Sequence, residues 1–369
     1  MTTAPHLTID LTALADNWKS LAHKAPSSET GAVVKANAYG LGIEVAVPVF
    51  YEAGCRTFFT AMAEEAVRVR KLFKDVRVFV LNGLFEDTVS TIKENNLIPV
   101  LSSIEQVTFW AKLASGKPSA LHVDTGMNRL GLVTSDAGEL AENSQLRSEA
   151  GIRTLISHFA CADDPEDSLN HQQMEAYKSI ADAFSDLEKS LANSAAILSN
   201  TASHYDLTRP GIALYGGEAI NDLPNPMKPV VSARTRILQI RQVKPGETIG
   251  YGATHKFTSN SDVAICSAGY ADGFHRSSSG SGVPLRKGAP IGGYGWMDGY
   301  KVPIVGRVSM DLTAFDISQV PKSVQQKCKW IELFGQNIAL DDAARSCGTI
   351  GYELLTGLGQ RYIRETITT

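Results

Sequence analysis

Along the first two thirds of the chain, short apolar runs alternate with longer stretches in which apolar positions recur at helical spacing. Eight runs stand out: "GAVVKA", "TFFTAM", "VRVFVLNG", "LIPVLSS", "SALHVDTG", "RTLISHFA", "AAILSN" and "GIALYGG". Uninterrupted runs of this length fit strands buried on both faces, as in a parallel sheet. Between most of them lie amphipathic stretches such as "EEAVRVRKLF", "SIEQVTFWAKL" and "QQMEAYKSIADAFSDLEKSL", which predict helices. Buried strands alternating with helices predict a parallel (β/α)8 TIM barrel. The link "TASHYDLTR" between the last two runs is short for a helical crossover.

Beyond about residue 228 the pattern changes. Long amphipathic stretches give way to Gly, Pro and β-branched alternation in "ARTRILQIRQV", "ETIGYGATHKF", "DVAICSAGYADG" and "YKVPIVGRVSMDLTAFDI", which predicts a mostly-β domain. The proline-rich "PNPMKPV" reads as the boundary. The expected fold is α/β: an N-terminal (β/α)8 barrel over residues 1–228 and a C-terminal mostly-β domain over 229–369. About the first ten residues are expected to pack with the C-terminal domain. "SSSGSG", from Ser277, reads as a flexible surface loop.

Composition changes this picture little: 369 residues, 43% hydrophobic, suffice for two domains. A net charge of −4 without a Lys/Arg-rich run argues against a nucleic-acid partner. No apolar run approaches membrane-spanning length, and the N-terminus lacks the apolar core of a signal peptide, so a cytoplasmic address is expected. Cys55, Cys161, Cys266, Cys328 and Cys347 show no CxxC spacing and the histidines no HExxH, so neither a metal site nor a disulfide framework is expected.

Barrel chemistry lies at the C-terminal strand ends. Lys35 follows the first run, Arg129 lies beyond the fifth, His158 is in the sixth, Asn200 and Thr201 follow the seventh, and Arg209 precedes the eighth. Alone, a strand-terminal lysine is most often a solvated surface residue. At the exit of a buried strand its amine is half desolvated, which lowers its pKa and makes it a nucleophile for carbonyls. With two arginines, the Thr201 hydroxyl and the backbone N–H groups of Gly211 and Ile212, the rim suits an anionic cofactor bearing an aldehyde and a phosphate. Pyridoxal 5'-phosphate has both.

The motifs "AVVKANAYGLG", "HVDTGMNRLG", "SHFA", "RPGIALYG", "GYG", "GYADG", "VGRVSMD" and "YELL", in this order, resemble the alanine racemase family across nearly the whole chain. The resemblance implies a pyridoxal-phosphate enzyme that interconverts L- and D-alanine, supplies D-alanine for peptidoglycan, and works as a homodimer with shared active sites. It implies two catalytic bases, Lys35, which also holds the cofactor, and Tyr251, given by the partner subunit. Tyr39 and Tyr352 would reach the phosphate with Thr201, Gly211 and Ile212. Arg209 would face the pyridine nitrogen, and Leu81, Asn200 and His158 would complete the cofactor contacts. His158 would also link Tyr251 to Arg209. Arg129 would approach the cofactor's phenolic oxygen and the substrate carboxylate, while Tyr270, Met310 and Asp311 of the partner would line the entrance.

Two residues depart from the family pattern. Many relatives carry a lysine, modified to a carbamate, seven residues before the arginine of "DTGMxR"; here His122 stands there. Thr201 stands where serine is common. A decarboxylase of the same two-domain fold is disfavoured, because such enzymes set an acidic residue against the pyridine nitrogen where "TRPGIALYG" offers Arg209. A single-barrel cofactor-binding protein would have no β domain. Within the class, a broad-specificity amino-acid racemase is the alternative.

Overall fold

A computed structural model describes residues 3–199, 203–280 and 292–369. The chain divides into two compact units: Leu14–Leu214 with Glu218–Met227, and Met1–Ala13 with Tyr215–Gly217 and Lys228–Thr369.

The first unit is the barrel. Strands Ala32–Val33, Thr57–Thr60, Arg77–Val80, Ile98–Leu101, Ser119–His122, Ile152–Ile156 and Glu188–Ser190 pair in parallel in that order. Two short segments close it. Leu207–Thr208 pairs in parallel with Glu29–Thr30, Gly31 N donates to Thr208 O (3.0 Å) and Val33 N to Pro210 O (3.0 Å). On its other side, Asp206 N donates to Lys189 O (3.1 Å) and Arg209 N to Ala192 O (2.9 Å). The eighth strand therefore lies between the seventh and the first, and no open edge remains there.

The first five predicted strands sit within their apolar runs, the sixth starts one residue before its run, at Ile152, and the last two lie outside theirs. "AAILSN" lies in and after the helix Ser194–Leu198, and "GIALYGG" forms the 3-10 turn Ile212–Tyr215. Both are apolar because they are buried, at helical rather than extended geometry. The seventh strand, Glu188–Ser190, lies at the end of a stretch predicted to be helical; the helix itself ends at Ala183. It is polar for a reason visible in the structure. Glu188 takes two bonds from Arg77 Nη1 (2.9 and 3.0 Å) and one from Thr154 Oγ1 (2.8 Å), while Arg77 Nη2 reaches Glu29 (2.6 Å). A paired ion network thus takes the place of apolar packing at the starts of these strands.

In the second unit the long strand Val231–Val243 pairs along one part with His6–Asp10 and Trp330–Phe334, and along the other with Ser261–Cys266. His6–Asp10 continues to Ile363–Ile367, Ser261–Cys266 to Thr313–Asp316, and Trp330–Phe334 to the hairpin Tyr294–Met297/Tyr300–Pro303. Val243, Phe257, Val263, Val305 and Ala314 form a packed cluster of this unit. The loop expected from Ser277 is ordered where described: Ser278 is buried and its Oγ lies 2.7 Å from Cys347 Sγ. Residues 281 and 282 lie outside the described residues. Among the described residues no helix is long and apolar enough to cross a membrane.

Candidate active site

The first strand runs out into an unusual turn. Ala36, Asn37, Ala38 and Tyr39 have φ of 52°, 55°, 54° and 52°, so Lys35–Tyr39 makes one left-handed helical turn. Left-handed backbone costs L-residues on the order of 1–2 kcal/mol each, so the surroundings must hold it. Three of its own bonds contribute: Ala38 N to Val34 O (2.9 Å), Gly40 N to Ala36 O (2.9 Å) and Gly42 N to Asn37 O (2.8 Å). The turn half-buries Lys35 at the strand exit and buries Tyr39.

Electrostatics single out the same rim. Burial pulls the Lys35 ammonium below its ordinary value, Arg129 and then Arg209 add to this, and Glu65 opposes it. Burial holds Arg209 down to about 10, so it stays charged at neutral pH. Its terminal nitrogens bond Ser157 O (2.5 Å), Ser190 Oγ (2.5 Å), Leu191 O (3.4 Å) and His158 Nδ1 (3.3 Å). His158 lies well below its usual range through burial, then Arg209, Arg129 and Lys35, so its imidazole is neutral. His122 ends the fifth strand and is likewise neutral, pushed to about 4 by burial and then by Arg209 and Arg129. Several cationic side chains converge with few carboxylates, which favours an anionic ligand.

Leu81 follows the third strand, half-buried, with its N–H on Thr60 O (2.9 Å). Gly211 meets the first strand's turn: a Cβ there would collide with Tyr39 Oη. Its N–H donates to Ser194 Oγ (2.8 Å), which also accepts from Ala213 N (3.4 Å). With both lone pairs of that hydroxyl engaged, its own proton is left to donate. Ser194, absent from the sequence reading, thus anchors the backbone at Gly211 and Ala213. Asn200 and Thr201 lie outside the described residues. Locating the seventh strand at "AAILSN" had moved the rim past Ser194. The signal that could have found it is the "LANSAAIL" stretch, where Asn193 caps the helix through Ala196 N (3.0 Å). Glu65 was also missed.

Tyr251, Tyr270, Met310, Asp311 and Tyr352 belong to the second unit. Tyr251 stands 72% exposed on the turn Tyr251–Ala253. Tyr270 and Met310 come together through backbone bonds, Tyr270 N to Ser309 O (3.0 Å) and Ala271 N to Met310 O (3.0 Å). Arg361 ties them further, pairing with Asp272 (2.7 Å) and Asp311 (2.6 Å). Tyr352 is on the helix Gly351–Thr356.

Fold and rim together define a two-domain barrel protein whose strand ends offer an amine and cationic groups to a small anionic ligand. The alanine racemase N-terminal domain family matches residues 9–219, and the alanine racemase C-terminal domain family matches 230–366. The biosynthetic alanine racemase of Agrobacterium fabrum is 48% identical over 97% of this chain and 93% of its own; the catabolic one of the same organism is 41% identical over 98% and 92%. A crystal structure of Bartonella henselae alanine racemase with covalently bound pyridoxal phosphate superposes with a TM-score of 0.91 at 35% identity, covering 99% of this chain and all of that one. The chain belongs to the alanine racemase family.

Proposed function

We propose that this protein is a pyridoxal-phosphate-dependent racemase that interconverts L- and D-alanine and feeds D-alanine to peptidoglycan. The observation that carries this reading is the Lys35 amine, half-buried at the exit of the first strand and pushed towards its neutral form by burial and by the charges of Arg129 and Arg209. Bound pyridoxal phosphate supplies an aldehyde that takes the amino group of alanine and a ring that draws electron density from Cα. The residues fit it. Lys35 Nζ would hold its aldehyde carbon, and Tyr39, Thr201, Tyr352 and the Gly211–Ile212 backbone, whose Gly211 N–H already donates to Ser194 Oγ (2.8 Å), would surround its phosphate. Arg209, charged and already bonded through its terminal nitrogens, would face the pyridine nitrogen and would keep it unprotonated.

Racemisation needs a base on each face of Cα. Lys35 Nζ moves the proton on one face and Tyr251 Oη on the other. Arg129 orients the substrate carboxylate. The barrel domain of residues 1–228, less Met1–Ala13, Tyr215–Gly217 and Lys228, which belong to the other unit, holds the cofactor, and the C-terminal domain, 229–369, brings Tyr251, Tyr270, Met310, Asp311 and Tyr352. Tyr251 comes from the partner of a homodimer. Supporting this, Tyr251, Tyr270 and Met310 are exposed by 72%, 42% and 53% in the single chain, large side chains that a partner would cover. The protein works in the cytoplasm.

Incubating cofactor-loaded protein with L-alanine is expected to bring its circular dichroism to zero, as the two enantiomers reach equal amounts. A signal that stays at its starting value would refute the activity, and a panel of other L-amino acids measures how widely the site accepts substrates.

His122 yields a second expectation. A stable carbamate forms on a primary amine, and His122 has none; its imidazole is kept neutral by burial and by the charges of Arg209 and Arg129. Racemisation should therefore be equally fast in buffers stripped of carbon dioxide and in buffers with added bicarbonate. A rate that rises with bicarbonate would mean that another lysine carries a carbamate at the site.

A further inference from the structure

We propose that Glu65 is a positioning residue of this site: its carboxylate holds the left-handed turn after the first strand and sets a negative charge against the Lys35 amine. The inference deepens the reading of Lys35 as the reactive amine and rests on it.

Glu65 is buried in the first turn of the helix Ala63–Leu72 and uses both carboxylate oxygens. Oε1 accepts from Asn37 N (3.0 Å), in the middle of the left-handed turn. Oε2 accepts from Ala61 N (3.0 Å) and Met62 N (3.3 Å), after the second strand. One acceptor-only group thus ties the exits of two adjacent strands. One helical turn on, Arg68 takes the same asparagine from outside, with Nη2 on Asn37 Oδ1 (2.7 Å), and is itself held by Glu44 (2.5 Å). Asn37 Oδ1 also accepts from Ile43 N (3.1 Å). Asn37 is therefore gripped at its backbone by Glu65 and at its side chain by Arg68.

Position and charge are separable contributions. The charges felt at Lys35 are those of Arg129 beyond the fifth strand, Glu65 and Arg209 after the eighth, and Lys35 in turn acts on His158 after the sixth. Burial and the two guanidinium groups push the amine towards its neutral form, and Glu65 acts in the opposite sense. Glutamine at 65 would remove that charge. It would also place an amide NH2 against one of the N–H donors, because a side-chain amide has one acceptor oxygen where the carboxylate has two.

The test reads the amine directly. Full-length protein freed of cofactor is acetylated with trace acetic anhydride across a pH series, and mass spectrometry of the Lys35 peptide gives the midpoint of its reactivity. Glu65→Gln should lower that midpoint relative to wild type, because loss of a negative charge favours the neutral amine. Arg68→Gln, which loosens the turn and leaves the carboxylate in place, should keep it. Should Glu65→Gln fold poorly, Ala36→Gly is added: glycine adopts left-handed backbone without strain, and Ala36 is exposed, so the double variant keeps the turn without the charge. It must show a midpoint below that of wild type, and in cofactor-loaded enzyme it should recover part of the kcat lost in Glu65→Gln. An unchanged or raised midpoint, or an equal fall in Arg68→Gln, overturns the charge assignment. Absence of any kcat recovery overturns the grip on the turn. Failure of the underlying reading shows separately: borohydride reduction of the loaded enzyme would then fix the cofactor to a lysine other than Lys35.

Discussion

Replacing Lys35 with alanine is expected to lower kcat by about 10⁴-fold in both directions, the upper end of what loss of a positioned proton-transfer group costs. The symmetry of the loss matters. L-alanine and D-alanine present their Cα protons on opposite faces, so whichever enantiomer is supplied, one of the two transfers needs Nζ of residue 35. An active site with alanine there keeps Tyr251 but has no second base. It also loses the amine that holds the cofactor. The fold should survive the change: Lys35 is only half-buried, and the repulsion from Arg129 and Arg209 that its removal relieves offsets the attraction to Glu65 that it loses. Thermal unfolding of Lys35→Ala should accordingly begin no earlier than that of the wild-type protein freed of cofactor. Turnover within tenfold of wild type would remove Lys35 from the mechanism. Lost activity with a collapsed thermal midpoint would mean that its role is structural.

How far such roles could be read from the sequence depended on how each group is held. Strand-end residues were legible wherever the strand itself was apolar. Lys35 and His158 stand at the ends of strands that the barrel buries on both sides, so periodicity located them and the rim rule assigned them chemistry, whereas Leu81 came from the resemblance alone. The seventh strand defeated this logic because Glu188 answers Arg77 across the barrel, and a three-residue strand built around an ion pair has no apolar signature. Misplacing it hid Ser194. The left-handed turn was illegible for another reason. "KANAYG" contains only one glycine, at its end, and three non-glycine residues before Tyr39 take positive φ because Glu65, distant in sequence, holds Asn37. Local propensity cannot report a conformation that a tertiary contact imposes. Tyr251, Tyr270 and Met310 were recoverable from resemblance alone. On a single chain they are exposed side chains without periodic pattern, and their proposed use needs a second copy.

That second copy is where the other large effect lies. If each site takes Lys35 from one chain and Tyr251 from its partner, Lys35→Ala and Tyr251→Phe should each be nearly inactive alone, since every site in either homodimer carries one lesion. Unfolding the two variants together in equal amounts and refolding them should pair chains at random, giving about half heterodimers by the statistics of a two-fold dimer. In a heterodimer both lesions fall in one site: the Lys35→Ala chain builds its barrel site with the Tyr251→Phe partner. The other site then has an intact lysine and an intact tyrosine. Half of the dimers with half of their sites working should restore about one quarter of wild-type activity from two inactive parents. The refolded parents, treated separately, supply the baseline. If Tyr251 instead served the lysine of its own chain, each chain would bring its own lesion to its own site, and the mixture would stay as inactive as its parents. Recovery therefore requires sharing of the two bases between chains, because no redistribution of sites within a single chain can bring an intact Lys35 and an intact Tyr251 together from these two variants.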